Sequence, residues 1–344
     1  MCTKKKLNIL FYYYPSLWLN KGGLQNQIIY TKMALEGLGH KVFLFEEWIL
    51  QKNKIQIDIY HQFSCHFTVF NLFKEFKQNA GSLVISTVFN NEKSLKNRVA
   101  TKFDDFGFPI LFHNATKTMQ READFIISLG ESETNDLIEY SSLKTEIKNI
   151  PNGVSETILD FDLEQIVKED YIVSVGSINK RKNQISLIKI CKELNYKLIL
   201  IGPESKQEPN YVSACKELGY GFVSFLGFID NNSQEFMNLI AKAKLFVLPS
   251  LNEVLPISVF ESLMLGTPVV CTNNSSIESY LSEDDGCALC DPKSLKSIAD
   301  SINKMYNFKL QATKIQELKF KYTWNNVAEQ IQEVYYKTLN DLKL

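Results

Sequence analysis

Short apolar runs alternate, from one end of the chain to the other, with stretches in which apolar residues recur every three or four positions. The runs read as buried strands and the spaced stretches as amphipathic helices, so the alternation predicts β-α-β units and parallel sheets. "KLNILFYYY" is a strand and "KGG", ending in Gly22 and Gly23, a glycine turn. Leu24, Ile28, Met33, Leu35 and Leu38 then stripe a helix that stops at Gly37 to Gly39, before the strand "KVFLFE". "IQIDIYHQF", a helix around Leu72 to Phe76, "SLVIST", helices leading to "ADFIISLG", and "IKNI" complete a first doubly wound sheet.

A second series begins at "YIVSVGSI" and runs through a helix over Gln184 to Leu194, "YKLILIG", a helix near Val212 to Leu218, "GFVSFLG", a helix over Phe236 to Ala243, and "KLFVLPS". Between the series lies "IPNGV", Ile150 to Val154, where Pro and Asn-Gly mark a turn. The expected domains are therefore 1–153 and 154–322, with a closing helix over 323–344 that Thr323 can cap. Two such domains predict a cleft, with ligands outside the carboxyl ends of the strands.

The chain's 344 residues suffice for two cores. Thirty-eight basic residues against 39 acidic ones leave no excess to displace counterions, which excludes a general nucleic-acid binder. Lys4, Lys5 and Lys6 fit a solvated tail or contact with an anionic membrane surface. No run of about 18 apolar residues is present to span a bilayer, and seven scattered cysteines fit reduced thiols, so a cytoplasmic location is expected. "CALC", Cys287 to Cys290, lacks a second ligand pair for zinc and reads as a short buried strand; no metal is expected.

The chemistry concentrates in "SLNEVLPISVFESLMLGTPVV", Ser250 to Val270. A helix is expected from about Leu255 to Leu265, with Pro256 in its first turn and Gly266 ending it. The Ile257 and Ser258 amides at its start, with the positive end of the dipole behind them, form a phosphate seat. Spacing alone leaves Glu261 open between a ribose-binding carboxylate and a solvent-facing helix residue, and Glu253 between a sugar contact and a helix-start charge.

Here the chain resembles the retaining glycosyltransferases of the GT-B fold, in particular glycosyltransferase family 4 (glycosyl transferases group 1). "NEVLPISVFESLMLGTPVV" looks like that family's Glu-x7-Glu motif, "KGGLQNQIIYTKMALEGLGHKVFLFE" its first glycine loop and helix, and "ADFIISLGESETNDL" with "IKNIPNGV" its interdomain approach. "VGSINKRKNQISLIKI" looks like its phosphate-binding loop and "YTWNNVAEQIQEVYY" its closing helix.

The resemblance implies an α/β chain of GT-B fold: two doubly wound Rossmann-like domains facing a central cleft, with the C-terminal helix crossing back to the first, acceptor-binding domain. It implies that Glu261 binds the donor ribose, Glu253 contacts the donor sugar, and the Ile257 and Ser258 amides hold the diphosphate. Lys182 neutralises that diphosphate. Arg181 substitutes for a cation that the family often carries after the glycine strand end, where Ser177 stands here. Ile229 falls where the base is read through backbone groups, and Gly22 and Gly23 allow close approach of donor phosphates or acceptor. Many relatives turn a first-domain histidine toward the reacting sugar. The matching position here is Phe89, which leaves His61, His113 or neither for that place; His61, in "DIYHQF" and read as ending a strand, is the catalytic candidate beside Lys182 and Glu253.

The function implied is metal-independent, retaining transfer of a sugar from a UDP- or GDP-sugar to a glycan or lipid-linked acceptor in cell-surface polysaccharide biosynthesis, without a further cofactor. Peripheral contact with the inner membrane face goes with it, and the aromatic loop Tyr12 to Asn20 would stack on sugar, touch lipid or fill the core. The rival is a non-catalytic sugar-nucleotide-binding subunit of a transferase complex. A nucleotide-dependent oxidoreductase lacks its G-x-G-x-x-G, and an epimerase would act on the donor alone.

Overall fold

The computed structural model describes residues 5–19, 22–50, 55–79, 81–89 and 111–341, with only the backbone of 111–113 and 341. Lys4, Lys21 and the side chain of His113 lie outside the described residues. The chain divides into two compact units, Met1–Gly153 with Trp324–Leu344, and Val154–Thr323.

In the first unit β1 (Asn8–Tyr13), β2 (Lys41–Leu44), β3 (Ile59–Phe63), β4 (Ser82–Ser86), β5 (Phe125–Ser128) and β6 (Ile147–Asn149) form one parallel sheet in the order β2-β1-β3-β4-β5-β6. Successive side chains of a strand face opposite sides, and both sides of this sheet are covered. Ile9, Phe11 and Tyr13 enter one core, whereas Leu10 and Tyr12 enter the other. The first core includes Trp324, Val327, Ala328, Ile331, Val334 and Tyr335 of the helix Trp324–Asp341, so the last helix of the chain completes the first unit. Its Trp324 ring stacks on Tyr30 with centroids 5.6 Å apart. In the aromatic loop, Tyr12, Tyr13 and Leu17 are core, whereas Trp18 and Leu19 are exposed.

The second unit holds β7 (Glu169–Val175), β8 (Lys197–Ile201), β9 (Val223–Gly227), β10 (Ala243–Leu248), β11 (Val269–Thr272) and β12 (Cys287–Cys290), all parallel, in the order β12-β11-β10-β7-β8-β9. After β9 the chain returns to the far side of β7, so the winding reverses between β7 and β10. The carboxyl ends of two such neighbours are the place where open α/β sheets bind ligands. Cys287 and Cys290 are buried in β12, and no helix among the described residues is long and apolar enough to cross a membrane.

Candidate active site

The loop after β7 begins at Gly176, whose φ of +151° suits glycine alone. A Cβ there would sit 3.0 Å from Lys182 Cε, so the missing side chain is what lets the lysine lie across the strand end. Gly202, after β8, backs against it: its Cβ would lie 2.2 Å from the Gly176 carbonyl oxygen. The loop then forms a single 3-10 turn, Lys180–Lys182, capped by Asn179 Oδ1, which accepts from the Lys182 amide at 3.1 Å. Asn183 leaves the turn in the left-handed region at φ 58° and donates through Nδ2 to the carbonyls of Pro249 (3.1 Å) and Pro292 (2.9 Å). It thereby fixes the β7 loop against the segments that follow β10 and β12.

The segment after β10 is held from both sides. Leu251 donates to the Arg181 carbonyl at 2.7 Å, and Arg181 Nη1 donates to the Asn252 carbonyl at 3.1 Å. From the other side Asn274 Nδ2 donates to the Leu251 carbonyl at 2.7 Å, and Glu253 donates to the Asn274 carbonyl at 3.0 Å. So braced, Glu253 turns its carboxylate onto the two cations: Oε1 lies 2.6 Å from Lys182 Nζ and 3.0 Å from Arg181 Nη1. The Lys182 and Glu253 side chains are 12% and 10% exposed, and Arg181 is 47% exposed. Burial pushes the Glu253 carboxyl up, but Lys182 and Arg181 outweigh it and hold it below its ordinary value; burial, with Arg181 nearby, pulls Lys182 down against the pull of Glu253. The triad carries one net positive charge.

The helix that follows is Ile257–Met264, with Pro256 in extended conformation as its N-cap and Leu265 as its C-cap; Gly266 at φ +72° turns the chain away. The first amides of a helix have no intrahelical acceptor, and those of Ile257 and Ser258 occupy that place here. One turn on, Glu261 faces inward. At 5% exposure it is a buried carboxyl, which removes the solvent-facing alternative. Its Oε1 accepts from Asn231 Nδ2 at 2.9 Å, and burial pushes its pKa up to about 7 against that bond. Asn231 follows Ile229 in the loop after β9.

The remaining candidates lie in the first unit. Gly22 and Gly23 stand after β1 at the start of the helix Gly23–Gly37. Added Cβ atoms would meet nothing within 4 Å there, so packing within the chain does not require glycine at either position. Phe89 follows β4, and Glu133 accepts from its backbone amide at 2.6 Å.

His61 requires a correction. It is the middle residue of β3, not its end, and is wholly buried. Its Nδ1 pairs with the Tyr335 hydroxyl at 2.6 Å and its Nε2 with Ser86 Oγ at 2.8 Å, so both ring nitrogens are occupied in the core. Burial pulls its pKa down to about 3, which keeps it neutral. His61 ties the last helix to the first sheet and has no nitrogen left for a substrate.

Asn179, Asn183, Asn231 and Asn274 were missed in the sequence. Asn179 and Asn183 flank the cationic triplet in "NKRKN", a visible signal for a turn with side-chain caps, whereas nothing in "FIDNN" or "TNN" marks Asn231 or Asn274.

Residues 156–319 match the family described as "Glycosyl transferases group 1". The chain is 24% identical over 260 residues to the serotype-specific mannosyltransferase WbdA of Escherichia coli, covering 68% of this chain and 31% of that protein. It is 33% identical over 172 residues to the N-acetylgalactosamine-N,N'-diacetylbacillosaminyl-diphospho-undecaprenol 4-alpha-N-acetylgalactosaminyltransferase of Campylobacter jejuni, covering 48% of this chain and 45% of that one. The matched region thus spans less than half the length of either relative. Among solved structures, sucrose-phosphate synthase from Thermosynechococcus elongatus superposes with a TM-score of 0.77 at 15% identity, over 98% of this chain and all of that one. Anabaena HepE in complex with UDP superposes with a TM-score of 0.71 at 15% identity, over 96% of this chain and 100% of that one. Two parallel six-stranded sheets with flanking helices and a whole-chain likeness to glycosyltransferase structures agree: this chain has the GT-B fold, and residues 156–319 of its second unit match the glycosyl transferases group 1 family.

Proposed function

We propose that the chain is a retaining glycosyltransferase that moves a sugar from a nucleotide diphosphate sugar to a glycan or lipid-linked acceptor in cell-surface polysaccharide assembly. One observation carries the reading. Lys182 and Arg181 converge on Glu253 at the switch point of the second sheet, in the segment that leads into the helix Ile257–Met264, where Glu261 is a buried carboxyl.

Breaking the bond between the anomeric carbon and the donor phosphate builds negative charge on the leaving diphosphate. Lys182, Arg181 and the Ile257 and Ser258 amides stabilise that charge, in a site whose dipoles are already aligned. Glu261 accepts the ribose hydroxyls, Glu253 contacts the transferred sugar, and the backbone at Ile229 meets the base. The acceptor oxygen forms its new bond on the face that the phosphate leaves, and its proton passes to the departing phosphate oxygen, so no protein base is required and configuration is kept. With the leaving-group charge met by protein cations and amides, the reaction is assigned no metal or added cofactor. Gly22 and Gly23 of the first unit contact the donor phosphates or the acceptor, and the protein works in the cytoplasm, at the inner face of the membrane.

The UDP complex of HepE and the mannosyltransferase and galactosaminyltransferase relatives support this reading. A thermal-shift screen of UDP-, GDP- and ADP-sugars, followed by turnover in the presence of a chelator, tests it. Stabilisation by one nucleotide class is expected, with donor turnover that survives chelation and falls steeply in Lys182→Ala and Glu261→Ala. Wild-type turnover in both variants would overturn the site.

A further inference from the structure

We propose that Asn231 is a positioning residue of the donor site: it orients the Glu261 carboxylate for the ribose hydroxyls and couples that carboxylate to the loop that meets the base. The proposal rests on the reading of Glu261 as the ribose ligand.

Asn231 and Glu261 come from different β-α units, the loop after β9 and the helix after β10, and meet through the 2.9 Å bond from Nδ2 to Oε1. The loop that presents Asn231 is internally fixed. Asp230 accepts from the Asn232 amide through Oδ1 at 3.0 Å, and its carbonyl accepts from the Ser233 amide (3.0 Å) and hydroxyl (2.6 Å). Ser233 Oγ in turn accepts from the Phe236 amide at 3.2 Å and caps the helix Gln234–Lys242. On the other flank Asn232 Oδ1 accepts from the Thr157 hydroxyl at 2.9 Å. A side chain leaving such a turn has a defined direction, so its amide sets the plane and rotamer of the carboxyl it bonds.

The choice of residue fits the task. A carboxylate has about four acceptor sites, so one bond from Asn231 leaves enough for both hydroxyls of a ribose. A lysine or arginine in its place would pair with Glu261 and compete with the sugar, whereas a neutral amide orients the carboxylate and leaves its charge available. Burial raises the Glu261 pKa and the Asn231 bond opposes it, so the bond favours the ionised, hydroxyl-accepting form. Because Ile229 lies two residues before Asn231, a shift of the base-contacting loop moves the carboxylate with it.

The test compares wild type with Asn231→Ala, Asn231→Asp and Glu261→Gln. Calorimetry with UDP and GDP from pH 6 to 9 is joined to donor KM and kcat for whichever nucleotide class binds. Asn231→Ala should weaken nucleotide binding about tenfold near pH 7 and raise donor KM far more than it changes kcat. It should also move the pH below which binding fades to a higher value. In Asn231→Asp two carboxyls face each other, so its loss should be larger at pH 8 than at pH 6.5, a pattern that a purely structural role would not produce. Asn231→Asp decides alone if Asn231→Ala does not fold. Wild-type binding by the folded Asn231 variants across the pH range, with Glu261→Gln weakened, overturns the proposal and leaves the ribose reading standing. Wild-type binding by Glu261→Gln overturns the ribose reading, and this proposal with it.

Discussion

Glu253 Oε1 lies 2.6 Å from Lys182 Nζ, and these two side chains, 71 residues apart in sequence, form a largely buried ion pair on neighbouring loops. On the proposed reading, the pair holds the lysine where the leaving group's charge would develop. Its energetics are asymmetric: breaking one half leaves a buried charge with a weakened partner, which costs about 3–5 kcal/mol, whereas replacing both halves costs far less.

Lys182→Met or Glu253→Leu alone should therefore lower the urea midpoint by more than the Lys182→Met/Glu253→Leu double variant does. A double-mutant cycle in urea measures the coupling. A cycle with no coupling would show the pair to be energetically idle. In turnover, Lys182→Ala should cost about 100- to 1000-fold in kcat, the scale of removing one charge-stabilising donor from a transition state.

Glu261 titrates near neutrality because burial raises its pKa from 4.5 to about 7. The folded protein then holds a proton that the unfolded chain has released between those values, so stability falls as pH rises through this window. Glu261→Gln carries no such charge. Its stability relative to wild type should grow between pH 4.5 and 7, to about 3 kcal/mol at most, while its donor binding weakens. Thermal melts of both proteins at pH 5 and pH 8 give the difference; equal differences at both would contradict the assignment.

His61 is bonded by Tyr335 and Ser86 inside the core, and its pKa near 3 lies below the unfolded value of 6.5. The unfolded chain therefore binds the proton first, so this residue contributes stability that is lost as pH falls below 6.5. Tyr335→Phe leaves Nδ1 without its partner and should cost about 1–3 kcal/mol in denaturant unfolding, with donor KM and kcat unchanged. A loss of kcat with stability intact would return His61 to the chemistry.

Gly176→Ala should damage the site more than the fold. The φ of +151° strains any side chain, by about 1–3 kcal/mol, and the added methyl meets Lys182 Cε at 3.0 Å, so the lysine must leave its position over the strand end. Turnover should fall toward that of Lys182→Ala. Gly202→Ala is more severe, since its methyl would lie 2.2 Å from a backbone carbonyl that cannot move without parting β7 from β8, and loss of soluble protein is expected.

Most of the strands and their alternation with helices were legible in the sequence, because a strand buried on both faces must be a continuous apolar run and a covering helix must carry a stripe; the helices Phe45–Ile49, Glu131–Ser141, Leu295–Met305 and Ala312–Lys321 were not. The sequence also marks the segments on which the proposed phosphate contacts rest, since Gly176, the Lys180–Lys182 triplet and the Pro256 helix start are local features with local consequences. The tertiary structure alone decided what each polar side chain faces. His61 looked like the end of a strand, but pairing between β1, β3 and β4 places it mid-strand beneath a helix from the far end of the chain. Glu261 was open between solvent and ligand until packing buried it, and its bond from Asn231 exists only because the loop after β9 meets the helix after β10. Periodicity records which face of an element is apolar, while a hydrogen bond between distant segments depends on register and loop closure, which no short stretch of residues encodes.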